Sequence, residues 1–457
     1  MSPYRILLYW GLVGTILAPG RAAFAQEEAK LAFSLLRQND DVSALIGVEN
    51  PNAYQRLKRL PFGEFGSLSF GGSYRFQAEM FLNEQFSQEQ DQSDIWYLNR
   101  VMVHAHARFA RHWQVYAELN TSSVVSKANP TPVDEDHFSL NQAFVEYCPN
   151  DRFNVRVGRE NIRLGSGRLV DVREGPNVRL SFDMAQMTYV QGATQVMAFA
   201  GVPVRNRFGS FDNEYLHFDE YLTAIYWTQR LKGNTSVDVY VMYKDEQNKA
   251  WNVGVGRDQR VSAGIRHFGQ WKDLSYNNEF VYQTGRFGDQ SIVGWTASFN
   301  LTQRVKLGDF PLQLGLKTEG ISGDQDPDDG RLGTFDALYP RGAYFGRVAR
   351  FGPSNLYDIH PSVEAALGPV MMQVDYVAFW RWSVTDGVYG PPLILDYPSL
   401  NEERFIGHQL GTITGVEFAP HVALELETNL IWPGAFLADS GLDDTLFHAV
   451  FTAEVKF

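Results

Sequence analysis

From Phe447 to Phe457 every second residue is apolar: Phe447, Ala449, Phe451, Ala453, Val455 and Phe457, where the sequence stops on an aromatic. Between them stand His448, Thr452, Glu454 and Lys456. A period of two sustained over a whole strand means that one face meets an apolar medium and the other meets water or polar groups. A soluble sheet satisfies that pattern in places. A transmembrane β-barrel must satisfy it in every strand, because its outside is lipid and its lumen is wet.

The alternation recurs along the chain. Phe70, Tyr74, Phe76, Ala78 and Met80 point one way; Ser69, Ser73, Arg75, Gln77 and Glu79 point the other. Val101, Val103, Ala105, Ala107 and Phe109 stand opposite Arg100, His104, His106 and Arg108. Val237, Val239, Val241 and Tyr243 oppose Asp238 and Lys244, and Val374, Tyr376, Ala378, Trp380 and Trp382 oppose Gln373, Asp375 and Arg381. Read throughout, the pattern gives about eighteen strands. They begin near residues 68, 96, 113, 138, 153, 184, 194, 219, 235, 260, 274, 291, 311, 358, 370, 409, 422 and 444.

Short turns, such as Ala110–His112, Gln191–Ala193 and Gly368–Pro369, alternate with longer polar loops at 83–95, 126–137, 163–183, 204–218, 322–357 and 383–408. An even strand number with sorted connections is the hairpin arithmetic of an outer-membrane barrel, its turns periplasmic and its loops extracellular. The expected fold class is therefore all-β, a transmembrane antiparallel barrel over residues 63–457. Around sixteen to eighteen strands leave an aqueous channel rather than a filled core.

Other features agree. Arg5, the apolar run Ile6–Leu17 and Ala23-Phe24-Ala25 fit a signal peptide over residues 1–25, with cleavage before Gln26. That run is too short for a spanning helix, and no other window reaches roughly eighteen apolar residues. Residues 26–62 break the alternation and read as a short periplasmic lead-in. A 14% aromatic content suits interfacial girdles, and Trp227, Trp251, Trp295 and Trp432 read as interface anchors. The net charge of −13 argues against a nucleic-acid partner. Cys148 is the one cysteine, so no intramolecular disulfide forms, and an inert thiol at a strand end is its plain reading.

Chemistry concentrates between residues 139 and 183. Within an acidic chain, Arg156, Arg159, Arg163, Arg168, Arg173 and Arg179 cluster there. Guanidinium groups bind carboxylates bidentately and stay charged at any relevant pH. In a lumen or an inward loop they attract an anionic solute. They equally suit a bracing role against Glu146, Glu160, Asp171, Glu174 and Asp183, and the charge pattern leaves both readings open. By alternation Arg159 falls on the Val155/Val157 face, so a lumenal position for it requires a bulge or the strand's end.

The run L-N-Q-A-F-V-E-Y at 140–147, V-R-V-G-R-E at 155–160, G-S-G-R-L-V at 165–170, R-E-G-P-N-V-R at 173–179 and S-F-D at 181–183 resembles the alginate-export family of outer-membrane barrels. The opening G-S-L-S-F-G-G-S-Y-R-F-Q-A-E at 66–79 is similar to the same family. The resemblance covers the chain from about residue 60 and is most specific over 140–183. It implies an eighteen-stranded barrel whose arginine-rich constriction passes an anionic uronate polysaccharide. It also implies an aromatic terminus, here Phe457, read by the outer-membrane assembly machinery. The family's pore arginines carry over to Arg156, Arg159 and Arg168; Arg75 and Arg100 join them from strand phase alone.

Remaining signals are weaker. His104 and His106 share the lumenal face without an evident third metal ligand and read as ordinary lumenal polar residues. Asp324, Asp326, Asp328 and Asp329 read as a solvated acidic loop with capacity for weak surface Ca2+ binding. Pro327 interrupts an EF-hand spacing there, Gly330 falls late and no closing glutamate follows. No nucleophile elbow, P-loop or zinc-protease motif occurs. The leading expectation is a passive channel for an anionic polysaccharide or oligosaccharide. An uptake porin for small sugars or organic acids is the alternative. A barrel enzyme needs a clustered nucleophile or carboxylate pair near the rim, and no such spacing stands out. A secreted soluble β-protein is the last alternative, separated by heat-modifiable gel migration.

Overall fold

The computed structural model describes residues 33–457 apart from 43–44, 46–49, 64–65, 88–93, 309 and 420. The signal peptide expected over residues 1–25 lies outside the described residues. A closed antiparallel barrel of 18 strands forms the body of the molecule. In chain order the strands are β1 (Ser67–Leu82), β2 (Asp94–Phe109), β3 (Trp113–Val125), β4 (Asp136–Asn150), β5 (Phe153–Glu160) and β6 (Phe182–Gln191). Then come β7 (Thr194–Pro203), β8 (Glu220–Arg230), β9 (Asn234–Trp251), β10 (Gly254–Trp271), β11 (Leu274–Phe287) and β12 (Gln290–Leu307). The circuit ends with β13 (Phe310–Ile321), β14 (Leu356–Leu367), β15 (Val370–Arg381), β16 (Phe405–Ala419), β17 (Val422–Pro433) and β18 (Leu446–Lys456).

The alternating tail closes the circuit. In β18, Phe447 pairs with Leu82 and Val455 with Tyr74 of β1. Phe457 N–H donates to the Gly72 carbonyl at 2.9 Å, and Gly72 N–H returns a bond at 2.8 Å. Closure leaves neither edge unpaired, which hydrocarbon demands because it cannot solvate a free backbone group. Phase behaves as expected: Val239 and Val241 are 40% and 50% exposed on the outside, whereas Asp238 and Lys244 are each 2% exposed within. Outward Val145, Met187, Ile225, Phe280 and Leu316 continue the apolar belt.

One strand begins earlier than its sequence suggests. β10 starts at Gly254 rather than near 260, reducing the β9–β10 connection to two residues. The G-V-G-R-D-Q stretch reads as a loop, but side chains hold it straight: Arg257 pairs with Asp245 at 2.7 Å and Arg260 with Asp258 at 2.8 Å. Trp251 at this end is buried, its indole N–H donating to Asp258 at 2.9 Å, so it is not an interface anchor.

The lead-in reaches the turn end of the barrel. Asn52 caps the short helix Ala53–Leu57 with a capping box to Gln55. Arg37, buried beside Asp40 at 2.8 Å, donates to the carbonyls of Gly72 (2.9 Å) and Phe457 (3.1 Å). That clamp holds the junction of the first and last strands. Cys148 is free and half-buried near the β4–β5 turn.

Candidate functional site: the lumenal constriction

Two connections at the loop end turn into the lumen: residues 161–181 between β5 and β6, and 322–355 between β13 and β14. They carry a core of their own, with Leu169, Val170, Val172, Phe335, Leu338 and Phe351 buried. The lumen is therefore partly filled rather than an open water column.

The base of the first loop is fixed by a β-bulge. Opposite β3 the register slips between Glu118 and Leu119, so that Asn141 is the extra residue of β4. Ser181 Oγ donates to the Asn141 carbonyl at 2.7 Å, and Asn161 Nδ2 donates to the Leu180 carbonyl at 2.8 Å. From that base the loop crosses the barrel. Ser166 Oγ donates to Glu279 of β11 at 2.6 Å, and Arg168 lies between Glu279 at 3.4 Å and Glu319 of β13. Eight residues beyond Ser166, Glu174 reaches Arg75 of β1 and Arg100 of β2.

The second loop is anchored around the other side of the wall. Asp336 pairs with Lys244 of β9 at 3.3 Å, and Arg260 Nη1 of β10 donates to the Thr334 carbonyl at 2.8 Å. Tyr339 hydroxyl donates to Glu220 at 2.6 Å, Tyr344 hydroxyl to Glu319 at 2.7 Å, and Arg347 pairs with Glu425 of β17 at 2.8 Å. The two loops then zip together. Asp171 N–H donates to the Tyr339 carbonyl at 3.0 Å, Tyr339 N–H to the Leu169 carbonyl at 2.8 Å, and Arg341 N–H to the Gly167 carbonyl at 3.3 Å. Gly167 sits at φ +75°, where a Cβ would lie 2.5 Å from Asp171 Oδ2. Only glycine takes that turn without strain.

Cavities lie beside this bridge. One of about 200 Å3 is lined by Arg163, Arg168, Lys317 and Arg341 against Glu319 and Asp358. Another of about 270 Å3 is lined by Lys127, Arg173, Arg347 and Arg350 against Glu79, Glu84 and Asp134. In a chain of net charge −13, both cavities carry an excess of cationic side chains.

The arginines divide by what they touch. Arg75, Arg100 and Arg179 share the single carboxylate of Glu174, and Arg75 also donates to the carbonyls of Glu174 (2.7 Å) and Pro176 (2.8 Å). Burial opposes ionisation of Glu174, but Arg100, Arg179 and Arg75 outweigh it and hold this loop carboxyl well below the usual carboxylate range. Arg156 is clamped in the wall by Glu146 and Glu160, each at 2.8 Å. Arg163 pairs with Asp171 at 3.2 Å. The Arg173 guanidinium donates to the Pro340 carbonyl at 3.3 Å while its backbone N–H donates to Asp171 at 2.9 Å, and among the described residues the side chains of Arg173, Arg341 and Lys317 make no ion pair.

Arg159 requires a correction. It stays on the outer face with Val157 and pairs there with Asp183 at 2.8 Å, because β5 keeps plain alternation to its last residue. It does not belong to the lumenal set. His104 and His106 do face inward, His106 bonded to Gln114 at 3.0 Å and His104 stacked on Tyr116. The acidic loop uses its carboxylates on backbone: Asp326 accepts from Asp328 N–H at 3.1 Å, Asp329 from Arg331 N–H at 2.8 Å, and Asp324 from Gly333 N–H at 3.2 Å. Among the described residues, no group of three or more His, Cys, Asp or Glu is arranged to hold a metal ion. Arg341 and Lys317 were not singled out from sequence. Lys317 was legible, since it lies in the lumenal phase, directly after outward Leu316 and two residues before lumenal Glu319; Arg341 sits in an aperiodic loop.

A family model for alginate export matches residues 67–447. The chain belongs to the alginate export family. It is an outer-membrane β-barrel of the channel type. Solved structures agree on the fold. OccK2 (OpdF) of Pseudomonas aeruginosa, in complex with glucuronate, superposes with a TM-score of 0.59 at 8% identity, over 85% of this chain and 98% of that one. OccK11 (OpdR) of the same organism gives 0.55 at 10% identity, over 85% and 96% of the two chains. OccAB1 of Acinetobacter baumannii gives 0.55 at 12% identity, over 88% and 100%. No curated protein matches the sequence.

Proposed function

We propose that this barrel passes small carboxylated solutes of the uronic-acid class, passively, through the constriction made by the two zipped loops. The observation that carries the reading is that three cations lining cavities of about 200 and 270 Å3, Arg173, Arg341 and Lys317, make no ion pair among the described residues. A paired guanidinium has its charge already answered, whereas an unpaired one still attracts an anion. Cavities of that size suit one sugar ring at a time rather than a polymer in extended passage. The glucuronate bound by OccK2 is a solute of the same chemical class.

Conduction of a uronate polysaccharide is the second reading, favoured by the family to which the chain belongs. It requires residues 161–181 and 333–355 to part. Liposome swelling separates the two readings. Faster swelling with glucuronate than with glucose, and none with a uronate oligomer, supports small-solute passage. Equal rates for glucuronate and glucose would overturn the anionic assignment, and passage of the oligomer would favour the polymer.

A further inference from the structure

The connection from β7 to β8 (204–219) stays outside the lumen. It lies on the outer wall, where His137 N–H donates to the Phe208 carbonyl at 3.0 Å and Phe211 N–H to the Phe138 carbonyl at 2.8 Å. The Phe138 and Phe211 rings meet edge-on at 5.0 Å. Beneath the returning arm of this loop the wall opens into a groove of about 720 Å3. Its floor uses outward positions of β4 to β8 that carry small side chains, Ala143, Ala185, Ala200 and Thr223. One pleat away on the same face stand the bulky, exposed Val145, Met187 and Ile225. Leu216 and Phe218, 56% and 67% exposed, rise along the rim.

An ion pair sits in this groove. Arg159 bonds Asp183 through Nε at 2.8 Å and Nη2 at 2.9 Å, and its Nη1 donates to the Leu140 carbonyl at 3.2 Å. The Tyr215 ring covers the guanidinium at 4.6 Å. Every nitrogen of Arg159 is thus engaged. Above the rim, Arg205 and Arg207 are likewise answered by Glu214 and Asp219. The groove offers shape and apolar surface but no unanswered charge.

The geometry points to a lipid-docking groove that takes one acyl chain of an outer-leaflet lipid. The groove belongs to the face whose neighbours meet hydrocarbon, and it opens toward the loop end of the barrel. Apolar side chains as exposed as Leu216 and Phe218 are unfavourable against water and favourable against an acyl chain. A chain lying along the floor also excludes water from around the Arg159–Asp183 pair and completes the cover that Tyr215 begins. With all nearby charges paired, the headgroup is not selected.

Native mass spectrometry of the full-length barrel, released from micelles doped with dioleoyl phosphatidylethanolamine, tests this. The wild type should retain a single lipid as its main adduct. The double variant A185L/A200L, which fills the floor, should lose it to background, as should F218S, which strips the rim without touching the wall. V239L on β9, outside the groove, should retain it. Heat-modifiable gel migration confirms closure of each barrel. Equal lipid retention in wild type and both groove variants, or no retained lipid in the wild type, would overturn the proposal. So would a wild-type dimer that the groove variants abolish, which would make a second copy of the chain the occupant.

Discussion

Arg75 and Arg100 stand directly opposite one another on neighbouring strands, two buried guanidinium groups whose shared counter-charge, Glu174, comes from a loop that has crossed the lumen. Like charges in register repel across a sheet. The wall at this point is therefore satisfied only while the loop is seated, and the loop is seated only while the wall is cationic.

Removing Glu174 tests that mutual dependence. E174Q leaves three guanidinium groups without their carboxylate. The cost should be about 1–2 kcal/mol, below that of a fully buried pair because a third of Glu174 still meets solvent. Single-channel recordings should show larger and noisier conductance as residues 161–181 lift. Because the Glu174 carboxyl lies below its usual range, its contribution is present at neutral pH and lost only as pH falls through that depressed value. Wild-type conductance should accordingly hold steady between pH 7 and pH 5.

Gly167 supports the zipper between the two loops. G167V forces a β-branched residue into a left-handed turn and toward Asp171, at a cost of about 1–3 kcal/mol. The expected outcome is a higher open conductance with unchanged heat-modifiable migration. Unchanged conductance would show that the zipper does not limit the pore.

Asp324 supplies a pH dependence of opposite sign at the start of the second inward loop. Burial raises its carboxyl to about 6 against the bond from Gly333 N–H, with Asp386 and Asp329 adding to the rise. A carboxyl raised on folding favours the folded state when protonated, so this contribution is present at low pH and lost as pH rises through about 6. Hydrogen exchange in 322–333 should be slower at pH 5 than at pH 7.5 after correction for intrinsic rates. D324N should abolish the difference.

The wall was almost wholly legible in the sequence, because a barrel in lipid repeats one constraint in every strand and a period of two records it. Phase alone places Arg75 and Arg100 in the lumen and Arg159 outside it. The register of β10 escaped that reading, since its first six residues are glycine-rich and charged and are straightened by side-chain pairs. The constriction was half legible. Clustering marks the arginines of 156–179, but whether each is braced or free depends on partners from distant strands: Glu279 and Glu319 for Arg168, and no carboxylate among the described residues for the Arg173 side chain. The inward course of the two loops left no periodic trace, and Arg341 was hidden with it.

The most direct measurement is the reversal potential of the purified barrel in a planar bilayer under a salt gradient. Arg173, Arg341 and Lys317 are not needed to hold a carboxylate in place, so R173A/R341A/K317A should fold and migrate as wild type. The wild type should prefer anions, and the triple variant should lose that preference, with glucuronate no longer blocking chloride current. A cation-selective wild type, or a triple variant with undiminished anion preference, would contradict the assignment of these lumenal cations to an anionic solute.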